Sequence, residues 1–512
     1  MNSSRAYLRA HLRAVLFAWT LMILAVAPLH GEDKSAKPSD NQTSNTEKLT
    51  LSHQSLDVRG KMLRYTATAG TLPLTDDAGK VEANIFFIAY TKEGTSDLAK
   101  RPVMFAFNGG PGASAMWLHM GALGPRRVLL DDTGTSLPAS AQLVNNESTW
   151  LDFTDLVFID PVGTGFSRAA AGVDAKKFYE VNGDIDAAAR FVRLYVTRFG
   201  RWLSPKLIAG ESYGTTRAAG LAKQLQNACG INLSGIVFIS SAINFETLAN
   251  DGGHDLPYAL SLPSMAATAW YHQKLSAARE ADQQKTLAEV ERWALGDYLA
   301  ALAQGDALGA PERDRVAGQL AAFTGLDKAY IDESKLRVDP SHFARQLLRH
   351  EHQMTGRMDG RVKGPVLSVV DGDERDPAFF LATGPFVAAL NQYLRQDLHY
   401  PSDLNYEFIS GAVHGAWKWG SGQGYLNMAP QLAEAMTANA HLKILVVAGL
   451  YDLVTPYFSQ RYTFEHLGLA PSLLGNITYA TYPAGHQVYT SLAVLKRLHA
   501  DAAAFVQKAL AN

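Results

Sequence analysis

The amino-acid sequence predicts an α/β fold in which a mostly parallel central sheet is flanked by helices and carries a largely helical cap. Three observations predict it. Short apolar segments alternate with longer helical patterns across residues 50–244, as in parallel sheets that are covered on both faces. Residues 245–375 are instead dominated by Ala, Leu, Gln, Arg and Glu, most of which favour helices. Strand-like segments return in residues 376–512, so the cap interrupts one core domain.

The first 31 residues have the layout of a secretory signal peptide. Three arginines precede an apolar run at residues 14–29 that contains no charge. This run is shorter than the roughly 20 residues that a membrane-spanning helix needs, and Pro28 interrupts it. We therefore expect an exported protein, periplasmic or secreted, with no stable membrane anchor once the signal is removed. Residues 32–49 are almost entirely polar and predict a solvated linker.

Composition limits the partners of the chain and the means of its stabilisation. The 47 basic residues nearly balance the 49 acidic ones, so no excess charge favours nucleic acid, and we expect no nucleic-acid partner. Cys229 is the only cysteine in the 512 residues, so no intramolecular disulfide can form and the core must supply the stability. An exported protein without disulfides suits a bacterial envelope. The oligomeric state stays open.

The elements of the core follow in order along the chain. Alternating β-rich segments at residues 51–90, with a turn at residues 76–79, predict an antiparallel start to the sheet. Helical patterns near residues 184–199 and from residue 213 onward lie between apolar strands. The predicted strands of the parallel part cover residues 103–107, 156–159, 206–209, 236–239, 442–447 and 477–482.

A serine-containing turn is the strongest local signal. Residues 206–209 form an apolar strand that runs into Gly-x-Ser-x-Gly at residues 210–214 and then into a helical pattern. This context is typical of a nucleophile elbow, in which a strained turn lifts the serine hydroxyl to the edge of the sheet. It predicts Ser212 as a nucleophile and an α/β-hydrolase fold, although the five-residue pattern alone also occurs by chance.

Two further residues complete a predicted catalytic triad. A serine becomes a good nucleophile only when an oriented base takes its proton, and in this fold the acid and then the histidine follow the serine along the chain. Asp452 lies just after the strand-like residues 445–449, and His486 follows the strand at residues 477–482. Their order predicts that Ser212, Asp452 and His486 act together. The competing interpretations are a turn-forming aspartate and an ordinary surface histidine.

A glycine-rich loop follows the first parallel strand. Residues 108–112 read Asn-Gly-Gly-Pro-Gly, directly after the strand at residues 103–107. Glycines leave backbone N–H groups free to approach a developing oxyanion. We expect the amides of Gly110 and Tyr213 to form an oxyanion hole, although a tight turn would use the same residue types.

Four motifs resemble those of the serine carboxypeptidases and occur in the same order: Asn-Gly-Gly-Pro-Gly at 108–112, Asp-Pro-Val-Gly-Thr-Gly-Phe-Ser at 160–167, Gly-Glu-Ser-Tyr-Gly at 210–214 and Ala-Gly-His at 484–486. The resemblance implies release of C-terminal amino acids from peptide substrates through an acyl-enzyme intermediate. It also implies that Asn108 and Glu211 bind the terminal carboxylate of the substrate. Because a carboxyl group donates a hydrogen bond only while protonated, that binding should weaken as pH rises.

The sequence also departs from the family pattern. Residues 121–125 are Gly-Ala-Leu-Gly-Pro, so Ala122 stands where the family usually has a second glutamate that shares a proton with the first. Without that like charge, Glu211 has less reason to stay protonated at neutral pH. Arg126 and Arg127 follow directly and are alternative partners for a substrate carboxylate.

Two alternative functions therefore stay open. The same triad serves equally well in an esterase or acyltransferase whose substrate has no free carboxylate, and the fold also suits a catalytically silent binding protein. His350 and His352 are weak candidates for a metal site, because side chains two residues apart on a helix point to different sides. Nothing in the sequence resembles a nucleotide-binding motif, and we expect neither a metal nor a cofactor.

Overall fold

The computed structural model describes residues 49–129, 131, 134, 141–366, 375–420 and 424–511. The predicted signal peptide at residues 1–31 and nearly all of the predicted linker lie outside the described residues. What the sequence indicates about those two segments stays a prediction.

A large mixed sheet forms the centre of the molecule, with the strand order β1-β2-β3-β7-β4-β9-β10-β13-β14 and the short β8 paired with β3. The strands β1, β2, β3 and β7 pair in antiparallel fashion, and those from β7 to β14 are parallel. This topology confirms the predicted fold class, including its antiparallel start. The strands are β1 (Leu49–Val58), β2 (Lys61–Thr75), β3 (Val81–Lys92), β4 (Val103–Phe107), β5 (Arg126–Val128), β6 (Leu143–Asn145), β7 (Asp155–Ile159), β8 (Arg168–Ala169), β9 (Lys206–Glu211), β10 (Gly235–Ile239), β11 (Gln353–Thr355), β12 (Lys363–Pro365), β13 (Lys443–Gly449) and β14 (Ile477–Tyr482).

Helices follow or separate most of these strands, and a π-helical turn at His119–Leu123 continues the first of them. The α-helices are α1 (Met116–Leu118), α2 (Val181–Arg198), α3 (Tyr213–Cys229), α4 (Leu256–Tyr271), α5 (Ala277–Glu280), α6 (Gln283–Trp293), α7 (Leu299–Ala303), α8 (Ala310–Thr324), α9 (Lys328–Glu333), α10 (Pro340–Gln346), α11 (Pro377–Gln396), α12 (Gly411–Ala416), α13 (Ala429–Ala438), α14 (Tyr457–Glu465), α15 (Pro471–Leu474) and α16 (Leu492–Leu510). In the part of the chain that the structure covers, none of these helices combines the length and apolar character of a membrane span.

The sheet separates two buried apolar clusters, because successive side chains of a strand point to opposite faces. On β4, Met104 and Ala106 belong to one cluster, whereas Phe105 belongs to the other. Helices α11 and α16 cover the first face, and α2, α3 and α13 cover the second. All five residues of β4 are buried, which explains why this strand is a continuous apolar run in the sequence.

A third apolar cluster lies in the helical stretch between β10 and β13. It joins helices α4, α6, α8 and α10 to core residues such as Tyr451 and Phe458. These helices fall within residues 245–375, for which the composition predicts a cap. The strands β11 and β12 also fall within this range and pair as a two-stranded sheet, and helix α11, which follows it, packs on the central sheet. The cap boundaries themselves stay a prediction.

Candidate active site

Ser212 occupies a strained turn between the end of β9 and the start of α3. Its backbone has φ 57° and ψ −130°, a conformation that is costly for a residue with a Cβ atom. A Cβ atom at Gly210 would lie 2.5 Å from the carbonyl oxygen of Gly214, and one at Gly214 would lie 2.8 Å from that of Phe107. Only glycine fits on the two sides of this serine, which explains the Gly-x-Ser-x-Gly pattern.

Asp452 and His486 form a buried pair. His486 Nδ1 lies 2.8 Å from Asp452 Oδ2, and the other carboxylate oxygen accepts hydrogen bonds from the amides of Val454 and Thr455 at 2.8 and 2.9 Å. Burial lowers the pKa of His486, but the charge and hydrogen bond of Asp452 outweigh it, so that the pKa lies above its ordinary value. The imidazole is therefore held in one orientation and is suited to accept a proton.

The sheet brings the three predicted triad residues to one edge. Ser212 follows β9, Asp452 follows β13 and His486 follows β14, and the carboxyl ends of parallel strands share an edge of the sheet. Among the described residues, the Ser212 hydroxyl forms no hydrogen bond with His486. In enzymes such bonds often tighten only in the substrate complex, so this geometry is compatible with proton transfer between the two side chains.

Three residues that support the pair were not evident from the sequence. The Thr455 hydroxyl donates to Asp452 Oδ2 at 2.7 Å and lies 3.1 Å from His486 Nδ1. The Ser240 hydroxyl donates to the His486 carbonyl at 2.6 Å, and the His486 amide donates to the Met358 carbonyl at 2.6 Å. Thr455 lies three residues after Asp452, so its position in the sequence could have indicated this contact. The contacts of Ser240 and Met358 with His486 join distant segments and leave no local pattern.

The two amides expected to form an oxyanion hole lie on adjoining segments. A Cβ atom at Gly109 would lie only 2.3 Å from the backbone nitrogen of Tyr213, so the glycine-rich loop touches the first turn of α3. Within the described residues, the N–H groups of Gly110 and Tyr213 donate no hydrogen bond. Two unpaired donors beside a nucleophile are what stabilisation of an oxyanion requires.

Asn108 and Glu211 are also brought together. Asn108 Nδ2 donates to Glu211 Oε1 at 2.9 Å, and Asn108 Oδ1 accepts a hydrogen bond from the Leu118 amide at 3.0 Å. Glu211 is only 3% exposed, and its Oε2 atom has no hydrogen-bond partner in the described part of the molecule. Burial raises the pKa of Glu211 to about 7, although the charge of His486 acts in the opposite direction.

A buried arginine, not singled out from the sequence, holds the glycine-rich loop in place. Arg217 on α3 donates from Nη1 to the Asn108 carbonyl and from Nε to Asp184 Oδ2, both at 2.8 Å. The two charged side chains are 1% and 5% exposed, so this ion pair is shielded from water. It ties α2, α3 and the loop of Asn108 into one unit.

Arg126 and Arg127, the alternative partners for a substrate carboxylate, contact other groups of the protein. Arg126 Nη1 lies 3.9 Å from Asp397 Oδ1, and Arg127 donates to the Val128 carbonyl at 3.0 Å. Ala122 is fully buried and carries no carboxyl group, so Glu211 has no second acid beside it from this position. The sequence predicted that Glu211 would then ionise more easily. Burial nevertheless raises its pKa to about 7, with a smaller contribution in the same direction from the charge of Asp452.

The weak metal candidates are not brought together with further ligands. His350 Nε2 lies 3.2 Å from Asp327 Oδ2, and Glu351 pairs instead with Lys274. Across the described ranges, no group of three or more His, Cys, Asp or Glu side chains is arranged to hold a metal ion.

Fold and site together define the class of this protein. A serine at a strand-to-helix elbow, with a buried aspartate and histidine from later strand ends, is the arrangement of serine hydrolases with the α/β-hydrolase fold. The profile of the serine carboxypeptidase family matches residues 63–489. The chain therefore belongs to the serine carboxypeptidase family, as its four sequence motifs indicated.

Individual relatives are similar over different lengths. The pheromone-processing carboxypeptidase KEX1 of Saccharomyces cerevisiae is 33% identical over 156 residues, which cover 28% of this chain and 20% of that protein. The serine carboxypeptidase-like 36 of Arabidopsis thaliana is 22% identical over 432 residues, which cover 79% of this chain and 76% of that protein. The crystal structure of KEX1(delta)P, a prohormone-processing carboxypeptidase from Saccharomyces cerevisiae, superposes with a TM-score of 0.53 at 16% identity, covering 86% of this chain and 91% of that one. This likeness concerns the fold.

Proposed function

We propose that the protein is a serine-type carboxypeptidase that releases C-terminal amino acids from peptides. The observation that carries the proposal is the hydrogen-bonded pair of Asn108 and Glu211 beside Ser212. Glu211 directly precedes the nucleophile, and Asn108 lies two residues before the oxyanion-hole glycine, Gly110. A terminal carboxylate bound to this pair would put the last peptide bond of the substrate at the serine hydroxyl.

Acylation begins when Ser212 Oγ attacks the carbonyl carbon of that bond while His486 takes the hydroxyl proton. Asp452 orients the imidazole and stabilises the imidazolium that forms. The amides of Gly110 and Tyr213 donate hydrogen bonds to the oxyanion of the tetrahedral intermediate. His486 then gives its proton to the departing nitrogen, the C–N bond breaks, and the shortened peptide remains as an ester of the serine.

Deacylation uses the same groups in reverse. A water molecule gives a proton to His486 and attacks the ester carbonyl, and the oxyanion again lies at the amides of Gly110 and Tyr213. When the ester bond breaks, His486 returns the proton to Ser212 Oγ and the shortened peptide leaves. No cofactor is needed for either half of this reaction.

The pKa of Glu211 gives the proposed enzyme a preference for acid. Below about pH 7 the carboxyl group carries a proton and can donate it in a hydrogen bond to the substrate carboxylate. Above that pH it becomes a second anion beside the substrate, and binding weakens. The ionisable groups that act on it are His486, Tyr489 and Asp452, so its ionisation is coupled to the state of the catalytic pair.

The relatives and the N-terminal sequence support two further parts of the proposal. The yeast relative carries carboxypeptidase in its name, and the plant relative is named as serine carboxypeptidase-like. The charged and then apolar start of the chain favours export, and we place the enzyme in the periplasm or outside the cell. Its substrate is a peptide with a free C-terminus.

An esterase or acyltransferase is the second candidate function. The observation that favours it is Ala122, which leaves the carboxylate site with a single acidic residue. An enzyme that acts on substrates without a free carboxylate would need Ser212, Asp452 and His486 but would depend little on Glu211. The substitution Glu211→Gln therefore separates the two functions.

The first experiment is mass spectrometry of a peptide library incubated with wild-type protein and with Ser212→Ala at about pH 4.5 and 7.5, values that bracket the ordinary pKa of Glu and His. We expect wild type alone to shorten peptides from their C-terminal ends, faster at the lower pH. The same peptides with amidated C-termini should react more slowly. Unchanged peptides together with Ser212-dependent cleavage of a simple ester would overturn the proposal in favour of the esterase or acyltransferase.

A further inference from the structure

Two oxygen atoms beside the nucleophile are buried without hydrogen-bond partners. One is Glu211 Oε2 and the other is the Tyr489 hydroxyl, and neither has a partner in the described part of the molecule. An unpaired buried polar atom costs about 1–3 kcal/mol, so two in one place need an explanation. The tyrosine is fully buried, three residues after His486, and the proposed mechanism gives it no part.

The surroundings of Tyr489 place its hydroxyl at the carboxylate site. Its ring packs against Gly121, where a Cβ atom would lie 2.4 Å from the ring carbon Cε2. Glu211 and Asn108 both act on the pKa of its hydroxyl, which therefore lies close to the two residues without a hydrogen bond to either. Gly121 directly precedes Ala122, the position at which a second carboxyl group is missing. The phenol therefore lies against the segment that would otherwise carry that carboxyl.

We propose that Tyr489 is a positioning residue for Glu211, whose hydroxyl holds the Oε2 atom and donates a hydrogen bond to it once the carboxyl group loses its proton. This inference rests on the proposed function, because its effect appears in the binding of a terminal carboxylate. The Oε2 atom of Glu211 is an acceptor without a donor, and the Tyr489 hydroxyl is a donor without an acceptor. The two groups can therefore form one hydrogen bond with each other.

The Tyr489 hydroxyl and a second carboxyl group have opposite effects on the pKa of Glu211. A neighbouring carboxylate would raise the pKa of Glu211 by repulsion, whereas a hydrogen bond from Tyr489 to the ionised form lowers it. Burial keeps the pKa of Tyr489 far above its ordinary value, so the donor stays protonated at any working pH. The other charged groups that act on Glu211 are His486 and Asp452, and both are unchanged by substitution of Tyr489.

The test is the pH dependence of KM for a peptide with a free C-terminus, measured for wild type and for Tyr489→Phe. The variant keeps the ring against Gly121 and removes only the hydroxyl. The pH at which KM rises should move upward by about one unit, since a hydrogen bond to a charged group is worth about that much. Incorporation of 3-fluorotyrosine at position 489 strengthens the donor and should move the same pH downward. Tyr298→Phe, which removes a buried tyrosine hydroxyl in the cap, is the matched control and should leave it unchanged.

The outcomes separate this inference from the proposed function. If wild type does not distinguish free from amidated C-termini, the proposed function fails. If wild type distinguishes them, but Tyr489→Phe and the fluorinated protein both show the wild-type pH midpoint, the role of Tyr489 is overturned and the carboxypeptidase stands. Opposite shifts in the two proteins support the inference, because a merely structural role of the ring would produce neither. A Tyr489→Phe protein that does not fold leaves the fluorinated protein, of nearly the same shape, to decide by its own shift.

Discussion

At the scale of single residues, Glu211 is a carboxyl group kept out of water next to Ser212. Folding surrounds it with Asn108, His486, Asp452 and Tyr489. Among the described residues, its one hydrogen bond comes from Asn108 Nδ2. Ionisation in such a place is unfavourable, which is why its pKa rises from an ordinary 4.5 to about 7. The proton that, in the proposed function, prepares the site for a substrate carboxylate therefore also contributes to stability.

This linkage predicts how stability depends on pH. Because the native state binds the proton of Glu211 more tightly than the unfolded state, the free energy of unfolding should fall as pH rises from about 4.5 to about 7 and then level off. The contribution of this one group is about 3 kcal/mol, at 1.36 kcal/mol per pKa unit. Glu211→Gln cannot ionise, so in urea unfolding at pH 4.5 and 8 it should lose less stability across this interval than wild type.

A second buried acid provides the control for that experiment. Burial also raises the pKa of Asp160 to about 7, and its Oδ2 atom has no hydrogen-bond partner within the described residues. Asp160→Asn should remove a separate part of the pH dependence, and the double variant should remove both parts. An unchanged pH dependence in Glu211→Gln would mean that Glu211 has an ordinary pKa in the folded protein, and the proposed acid preference would then lose its cause.

At the scale of elements, the loop between β11 and β12 supports two other loops, one that carries Asp452 and one that carries His486. The Met358 carbonyl accepts from the His486 amide at 2.6 Å, and the Arg357 carbonyl accepts from the Leu453 amide at 3.0 Å. Arg361, in the same loop, donates to the Pro483 carbonyl at 3.0 Å. A segment in the stretch predicted as cap thus holds the loops of both Asp452 and His486.

Loss of Arg361 should weaken this support. Arg361 and Asp359 form a buried ion pair at 2.6 Å, with side chains 6% and 9% exposed. Removal of one partner of a buried pair costs about 3–5 kcal/mol, because the other charge stays buried. We therefore expect Arg361→Met to lower the free energy of unfolding by about that amount and to lower kcat, as measured by urea unfolding and by peptide hydrolysis.

The matched control lies in the same helical stretch. Arg337 pairs with Asp255 at 2.7 Å, but these side chains are 26% and 19% exposed and lie in loops of the stretch predicted as cap. Arg337→Met should cost less stability and leave kcat unchanged. If the two variants behaved alike in both measurements, the loop between β11 and β12 would not be a support of the catalytic pair.

At the scale of the whole molecule, the sequence predicts the sheet better than it predicts the site. β14 lies at the predicted residues 477–482, because a strand that follows turn chemistry leaves a local pattern. The prediction of Ser212, Asp452 and His486 as a triad came from the ends of strands and from their order along the chain. Tyr489 and Met358 were not, because their contacts join segments far apart in sequence and carry no periodicity. Residues of this kind can only be found once the topology is known.

The stability of the whole molecule also depends on packing, because a sequence with one cysteine forms no intramolecular disulfide. Its sheet lies between two large apolar clusters, and a third cluster fills the cap stretch. Cys229, the single cysteine in this sequence, is half-buried at the end of α3, and burial raises the pKa of its thiol. A thiol of this kind forms disulfides slowly, since the thiolate is the reactive species.

The protein should therefore be insensitive to reducing agents. We expect an excess of dithiothreitol to change the Tm by less than about 2 °C, and Cys229→Ser to have an effect of similar size. Calorimetry of the two proteins with and without the reductant measures both. A Tm that falls with dithiothreitol in wild type but not in Cys229→Ser would contradict this expectation. Because one cysteine cannot bridge within a single chain, that result would require a disulfide between two copies through Cys229.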